Sequence, residues 1–142
     1  MSEPVFFISH FAIKEGALED LKGRTGEVMQ RLREEKPRTV LFLSYLDEEG
    51  GRISFLHAFP DADALDEHFA GADERAAAAY EFIEPRGWEL YGQTSEQVME
   101  GMRATAERFG VPLVVEPRFN GGFLRLAPDS PPGTFASTRT RS

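Results

Sequence analysis

Apolar and polar positions along the chain alternate between short β-rich runs and longer stretches of helical period. Val5 to Ile13, VFFISHFAI, is continuously apolar, too short to span a membrane and rich in β-formers, so it reads as a first strand. Ala17 to Glu35 sets Leu18, Leu21, Thr25, Val28 and Leu32 at three- and four-residue steps, one stripe along a helix that Pro37 stops. Gly23 and Gly26 interrupt that helix at a cost of roughly 1 kcal/mol each relative to alanine. Tertiary packing is the expected compensation; the other reading is a smooth patch that admits a backbone or a ligand. Thr39 to Leu46, TVLFLSYL, is a second strand, returned as a hairpin by Asp47-Glu48-Glu49-Gly50-Gly51 to a third, Ile53 to Phe59. Asp61 then caps a helix with Leu65 and Phe69 on its buried stripe and His68 beside it. Gly71 breaks the chain, and Asp73 caps a second short helix with Ala76, Ala79, Tyr80 and Ile83 inward, ended by Pro85. Trp88 to Tyr91 is strand four. The order predicts a ferredoxin-like α+β fold, βαββαβ, with an antiparallel sheet and its helices on one face.

The strands lack the polar alternate face that such a sheet needs toward water. Strand one carries Phe6, Ile8 and Ala12 on one parity and Phe7, Phe11 and Ile13 on the other; strand two sets Val40, Phe42 and Leu46 against Leu41, Leu43 and Tyr45. Both faces therefore need cover, and the helices supply only one. Two covers are open: the sheet of a second copy, packed face to face as a homodimer, or the chain's own C-terminal third.

That third begins with Thr94 and Gln97 at the spacing of a capping box, opening a helix with Val98, Met102, Ala106 and Phe109 on one stripe and Gly110 as its stop. An extra strand, Val111 to Val115, follows, and Asn120-Gly121-Gly122 turns into a short apolar segment, Phe123 to Leu126. These pieces could lengthen the sheet, exchange with a dimer partner or roof a pocket. The predicted organisation is a core domain over 1–93, a helix-and-strand extension of it over 94–126, and a mobile Pro/Ser/Thr-rich tail over 127–142.

Composition narrows the chemistry. At 142 residues one domain can bury a core without staples, and with no cysteine there is no disulfide framework, thiol nucleophile or thiolate metal site. A net charge of −8 with no Lys/Arg stripe argues against nucleic acid, and the absence of a leader or of any run of membrane-spanning length sets a cytoplasmic, soluble protein as the expectation. No G-x-S-x-G, phosphate-binding glycine loop or H-E-x-x-H occurs.

What remains is three histidines among many aromatics. His57, inside strand three, and His68, on the following helix, lie on consecutive elements joined by a tight turn, so both imidazoles can face one space between sheet and helix. There a neutral imidazole can take a proton from an acidic aromatic substrate; equally, the two can be packed core histidines with satisfied nitrogens. His68 is the preferred base and His57 its alternative. Ser9, Tyr45, Tyr80, Trp88 and Tyr91 are candidates for hydrogen bonds or stacking to a flat ligand, or else for core and interface. His10 on strand one is the weakest candidate, and a metal held by His10, His57 and His68 is not expected, since no close His pair or ligand triad is present.

The stretch GRISFLHAFPDADALDEHF, Gly51 to Phe69, also carries a likeness. An apolar strand with an aromatic at its end, a capped turn, and a His just before an apolar helical residue resemble the antibiotic biosynthesis monooxygenase (ABM)-like family of dimeric α/β-barrel proteins. His68 fits that family's helix histidine, whereas His57 and Phe59 stand where the family usually has Glu-x-Trp. The resemblance spans about residues 5 to 92 and implies a homodimer. For the oxygenase branch it implies oxidation of a quinol or anthrone-like aromatic by O₂ with no cofactor: no flavin, haem or metal. The haem-degrading branch fits poorly: its strand asparagine falls on Ser9, its helix tryptophan on His68, and its haem-ligating histidine in the Ala76 to Ala79 run. The resemblance thus leaves two expectations, a cofactor-independent monooxygenase with Tyr45, Trp88 and Tyr91 lining its pocket, or a non-catalytic dimeric module that binds a small apolar ligand.

Overall fold

The computed structural model describes residues 3–123. Its elements run β1 (Val5–Ile13), α1 (Leu18–Glu35), β2 (Leu41–Asp47), β3 (Arg52–Phe59), α2 (Ala62–Phe69), α3 (Ala72–Ala79), β4 (Ile83–Tyr91), α4 (Glu96–Phe109) and β5 (Leu113–Glu116). One sheet holds all five strands in the order β2-β3-β1-β4-β5. The first four pair antiparallel, as the ferredoxin-like reading requires, and β5 joins β4 in parallel, which makes the sheet mixed. β2 and β5 form its two edges, so within one chain the sheet is open and does not close into a barrel.

Strand alternation builds the core. Val5, Phe7, Ser9 and Phe11 turn to the helix side and are buried, while Phe6, Ile8, His10 and Ala12 between them are only half-buried. Across the register the helix side gathers Phe59, Leu65 and Leu90, each shielded almost completely, and a buried aliphatic or aromatic side chain contributes about 2 kcal/mol. Asp61 caps α2 as its sequence position predicts, its Oδ1 accepting from the Ala64 N–H at 2.9 Å. Gly110 ends α4 in the left-handed conformation, the other expected punctuation.

Several boundaries differ from the sequence reading. β4 starts at Ile83 rather than Trp88, because Pro85 does not end the segment: it sits opposite Phe11 where the β1–β4 register shifts, and at such an irregularity a residue without N–H is tolerated. Ile83 is accordingly a strand residue, and α3 stops at Ala79. Gly71, not Asp73, is the N-cap of α3, with Asp73 in its first turn. Ser95, not Thr94, caps α4, its Oγ accepting from the Val98 N–H at 3.2 Å.

The C-terminal extension does two things. β5 lengthens the sheet, and α4 inserts Met102 and Ala106 into the same core that α2 covers. Between β4 and α4, Gly92 (φ +117°) passes so close to the N-terminal segment that a side-chain carbon there would lie 2.8 Å from the Pro4 carbonyl oxygen. Among the described residues neither β5 nor α4 crosses to the other side of the sheet, where Phe6, Ile8, Leu41, Leu43 and Leu56 stay half-buried and Tyr45 is 59% exposed. No strand forms over 120–123; the rest of the predicted Phe123 to Leu126 segment and the tail over 127–142 lie outside the described residues. No helix among the described residues is long and apolar enough to cross a membrane.

Candidate functional site

On its helix side the middle of the sheet presents Phe7, Ser9 and Phe11 from β1, Phe55 and His57 from β3, and Phe42 from β2. α1 and the α2–α3 pair stand over these residues and leave a cavity of about 520 Å³, within the range of sites for small organic ligands. α1 contributes Leu21, Thr25, Val28 and Leu32 to its roof; His68, Arg75, Ala76 and Ala79 close one end.

His57 is buried, and its Nδ1 lies 3.0 Å from the Phe7 carbonyl oxygen. A carbonyl only accepts, so Nδ1 carries the hydrogen, and the neutral ring keeps a lone pair on Nε2. Aromatic neighbours confine the ring: Phe42 at 4.9 Å, His68 at 5.0 Å and Phe7 at 5.2 Å between centroids. Burial pulls its pKa down to about 4, with the Phe7 bond opposing and the Arg75 charge assisting. His68 shares its Nδ1 with the Thr39 hydroxyl at 2.9 Å, and burial, then His57, Arg75 and Lys36, bring its pKa to about 2. Both imidazoles are neutral at pH 7, His68 held further below the ordinary histidine range than His57.

Arg75 is the charge held in place next to the histidines, among a lining that also includes Arg24, Arg31, Lys36, Glu27, Glu35 and Glu74. Its Nη2 donates to the His68 carbonyl at 2.6 Å and its Nη1 to the Ala70 carbonyl at 3.2 Å, so the guanidinium is pinned across the C-terminal end of α2, where carbonyls lack helical partners. Two hydroxyls complete the lining. Ser9 and Thr25 are 5% and 8% exposed, and among the described residues neither side chain has a hydrogen-bond partner. Buried hydroxyls are ordinarily paired, so these two stand out as polar groups that face the cavity.

The structure thus brings Ser9, His57 and His68 together. It places the other predicted residues elsewhere. Trp88 packs edge-on against Phe11 within the core, and Tyr80 against Phe109; neither lines the cavity. Tyr45 and Tyr91 lie on the opposite side of the sheet, in register with Ser54 and Phe6. His10 is on that side too, so it cannot join His57 and His68 around one ion, and among the described residues no three His, Cys, Asp or Glu side chains form a metal site. Sequence reasoning missed Thr25 and Arg75. The signal for Thr25 was available: a hydroxyl inside an otherwise apolar helical stripe. For Arg75, in a surface-patterned helix, there was none.

No family model and no curated protein matches the chain. Solved structures do. MupZ from Pseudomonas fluorescens is similar at 18% identity and a TM-score of 0.64, over 87% of this chain and 96% of that one, a share that the residues before α4 alone cannot fill. A conserved protein from Methanosarcina mazei matches at 14% identity and TM-score 0.54, over 62% of this chain and 90% of that one. A protein of B. thetaiotaomicron assigned to the antibiotic biosynthesis monooxygenases matches at 15% identity and TM-score 0.52, over 62% of this chain and 85% of that one. At these identities the likeness is one of fold. The chain has the ferredoxin-like fold found among antibiotic biosynthesis monooxygenase-like proteins, the family its strand-to-helix passage resembles.

Proposed function

We propose that the chain is a cofactor-independent monooxygenase for a small aromatic of quinol or anthrone type, bound under α1 with His57 Nε2 as proton acceptor. The observation that carries this reading is the ligand-sized cavity in which a free imidazole lone pair, a pinned guanidinium and two unpartnered buried hydroxyls converge on an aromatic floor. Ser9 and Thr25 would bond the substrate's oxygens, and Phe42 and Phe55 would hold its ring plane. His57 takes a proton from the substrate, and the anion left behind lies in the field of Arg75 and the new imidazolium. The electron-rich carbon then reduces O₂: a methylene becomes a carbonyl, one oxygen atom enters the product and the other leaves as water with the two methylene hydrogens.

A base with a pKa of about 4 is poorly matched to pH 7; about three units of mismatch amount to about 4 kcal/mol. An anionic substrate offsets part of this, because burial and the Arg75 charge are what depress the imidazole and a neighbouring negative charge acts in the opposite sense. The same depression, with both histidines buried, supports the second reading: a non-catalytic module that holds a small apolar ligand. Oxygen uptake with a panel of quinols and anthrones, with and without a chelator, separates the two. The parent should consume O₂, and His57→Gln should lose roughly 10²-fold or more in turnover while still folding. Uptake that is absent in the parent, or equal in His57→Gln and His68→Gln to the parent, would refute the acid–base reading.

The same reading takes the protein as a homodimer. Its support is the apolar, half-buried outer face of the sheet, which β5 and α4 leave uncovered.

A further inference from the structure

At the end of the cavity that His68 and Arg75 close, two cations meet on one acceptor. Lys36 Nζ donates to the Glu67 carbonyl at 2.7 Å and to the Ala70 carbonyl at 3.1 Å, and the Ala70 oxygen also takes Arg75 Nη1 at 3.2 Å. Lys36, Ala70 and Arg75 all line the cavity beside the buried ring of His68. The C-terminal end of a helix carries about half a negative charge, which offsets part of one cation and not two.

The chain supplies no carboxylate to match them. Arg24 pairs with Glu27 at 3.7 Å and Arg31 with Glu35 at 3.9 Å, both along α1, while Glu74 is exposed. Among the described residues neither Lys36 nor Arg75 is in an ion pair. The Arg75 guanidinium is half-buried, and burial, then Arg31, pull its pKa down, with Glu35 opposing. A cation drawn partly out of water is ordinarily answered by an acceptor of opposite charge. Arg75 can still answer one: the His68 and Ala70 carbonyls engage one N–H on each Nη, and the other N–H of each, with that of Nε, stays available.

From this geometry we infer that the molecule the cavity takes is an aromatic carboxylate, its acid group set against Arg75 and Lys36 and its ring against Phe42 and Phe55. The inference rests on the reading of the cavity as a site for a small aromatic and names the class of aromatic. A carboxylate suits this end better than a neutral oxygen does, because its two oxygens share a plane that the guanidinium N–H groups can meet, in a charge-assisted bond. It also bears on the base. Arg75 depresses both imidazoles and Lys36 depresses His68, whereas a bound anion acts in the opposite sense, so the substrate's own charge brings His57 closer to the range in which it accepts a proton.

Calorimetry on the full chain at pH 7.5 with 2-naphthoate and 2-naphthamide, two ligands of one shape that differ in charge, tests the inference. The parent should bind the acid roughly 10-fold or more tightly than the amide. Arg75→Gln should bring that ratio to within about 2-fold of one, and Lys36→Gln should lower it about 3-fold; the second variant decides the matter if the first does not fold. A parent that binds both ligands equally, a ratio that Arg75→Gln leaves unchanged, or, where that variant fails to fold, one that Lys36→Gln leaves unchanged would overturn the inference and leave the aromatic site standing. A parent that binds neither ligand would overturn the inference together with the site reading beneath it.

Discussion

Acidification should destabilise this protein through the two cavity histidines, by an amount the structure sets. An ordinary histidine titrates near 6.5, whereas His57 in the folded chain does so at about 4 and His68 at about 2. Both values are lowered on folding, so as pH falls the unfolded chain takes up the protons first and stability drops. For His57 the loss develops between about 6.5 and 4 and then levels off; for His68 it continues toward 2. At pH 5, about 1.5 units below the ordinary value, each imidazole kept neutral costs about 2 kcal/mol, or about 4 kcal/mol for the pair. That is a large fraction of the 5–15 kcal/mol that holds a domain of this size together. Carboxylates titrate over part of the same range, so the informative comparison is between the parent and His57→Gln/His68→Gln, unfolded thermally at pH 7.5 and 5.0. The double variant should lose less on acidification, by roughly 10 °C in Tm. Equal losses in the two proteins would show that the imidazoles are not held neutral, and the account of the cavity as a place that keeps both rings uncharged would fall with them.

Three further outcomes follow from particular contacts. Ser9→Ala should leave thermal stability within about 1 kcal/mol of the parent, because among the described residues the hydroxyl has no partner to lose, yet weaken binding of an aromatic ligand measured by calorimetry about 5- to 10-fold. Gly92→Ala should cost about 2 kcal/mol or more in denaturant unfolding, since the added carbon meets the Pro4 carbonyl in a backbone conformation that side chains disfavour. Ile8→Asp should convert a particle of roughly twice the chain mass in light scattering to a monomer; a parent that is already monomeric at micromolar concentration would remove the case for the dimer.

The fold was legible where a local signal coincided with the tertiary one. β1 is apolar on both parities because its two faces have different neighbours to meet, and Asp61 occupies the capping position its spacing suggested. β4 starts earlier than its sequence pattern indicates because Pro85, which that pattern places at the end of the preceding helix, lies inside the strand at the register shift against β1. The site was half legible. His57 and His68 meet because a tight turn joins their elements, a relation visible in the chain. Trp88 and Tyr91, by contrast, are three residues apart on one strand, and the period of two already puts them on opposite faces; applying it would have removed Tyr91 from the cavity.

The roof of the cavity has its own dynamic consequence. α1 holds to the core by Leu21, Thr25 and Leu32, and among the described residues nothing beyond the helix's own backbone and the glycines' chain neighbours approaches within 4 Å of where side chains at Gly23 and Gly26 would be. The glycines therefore do not seat a neighbouring backbone; they only lower the helix's own propensity, by roughly 2 kcal/mol together. Of those three anchors Leu21 precedes the glycines and Thr25 lies between them, and Thr25 brings a hydroxyl with no partner among the described residues rather than a full apolar grip. Within α1 the turn that carries the glycines is then the one whose amides open at the least free energy, exchanging with solvent while the sheet stays closed. A molecule bound in the cavity would reach it through that opening, so its rates of arrival and departure would follow the breathing of one helical turn.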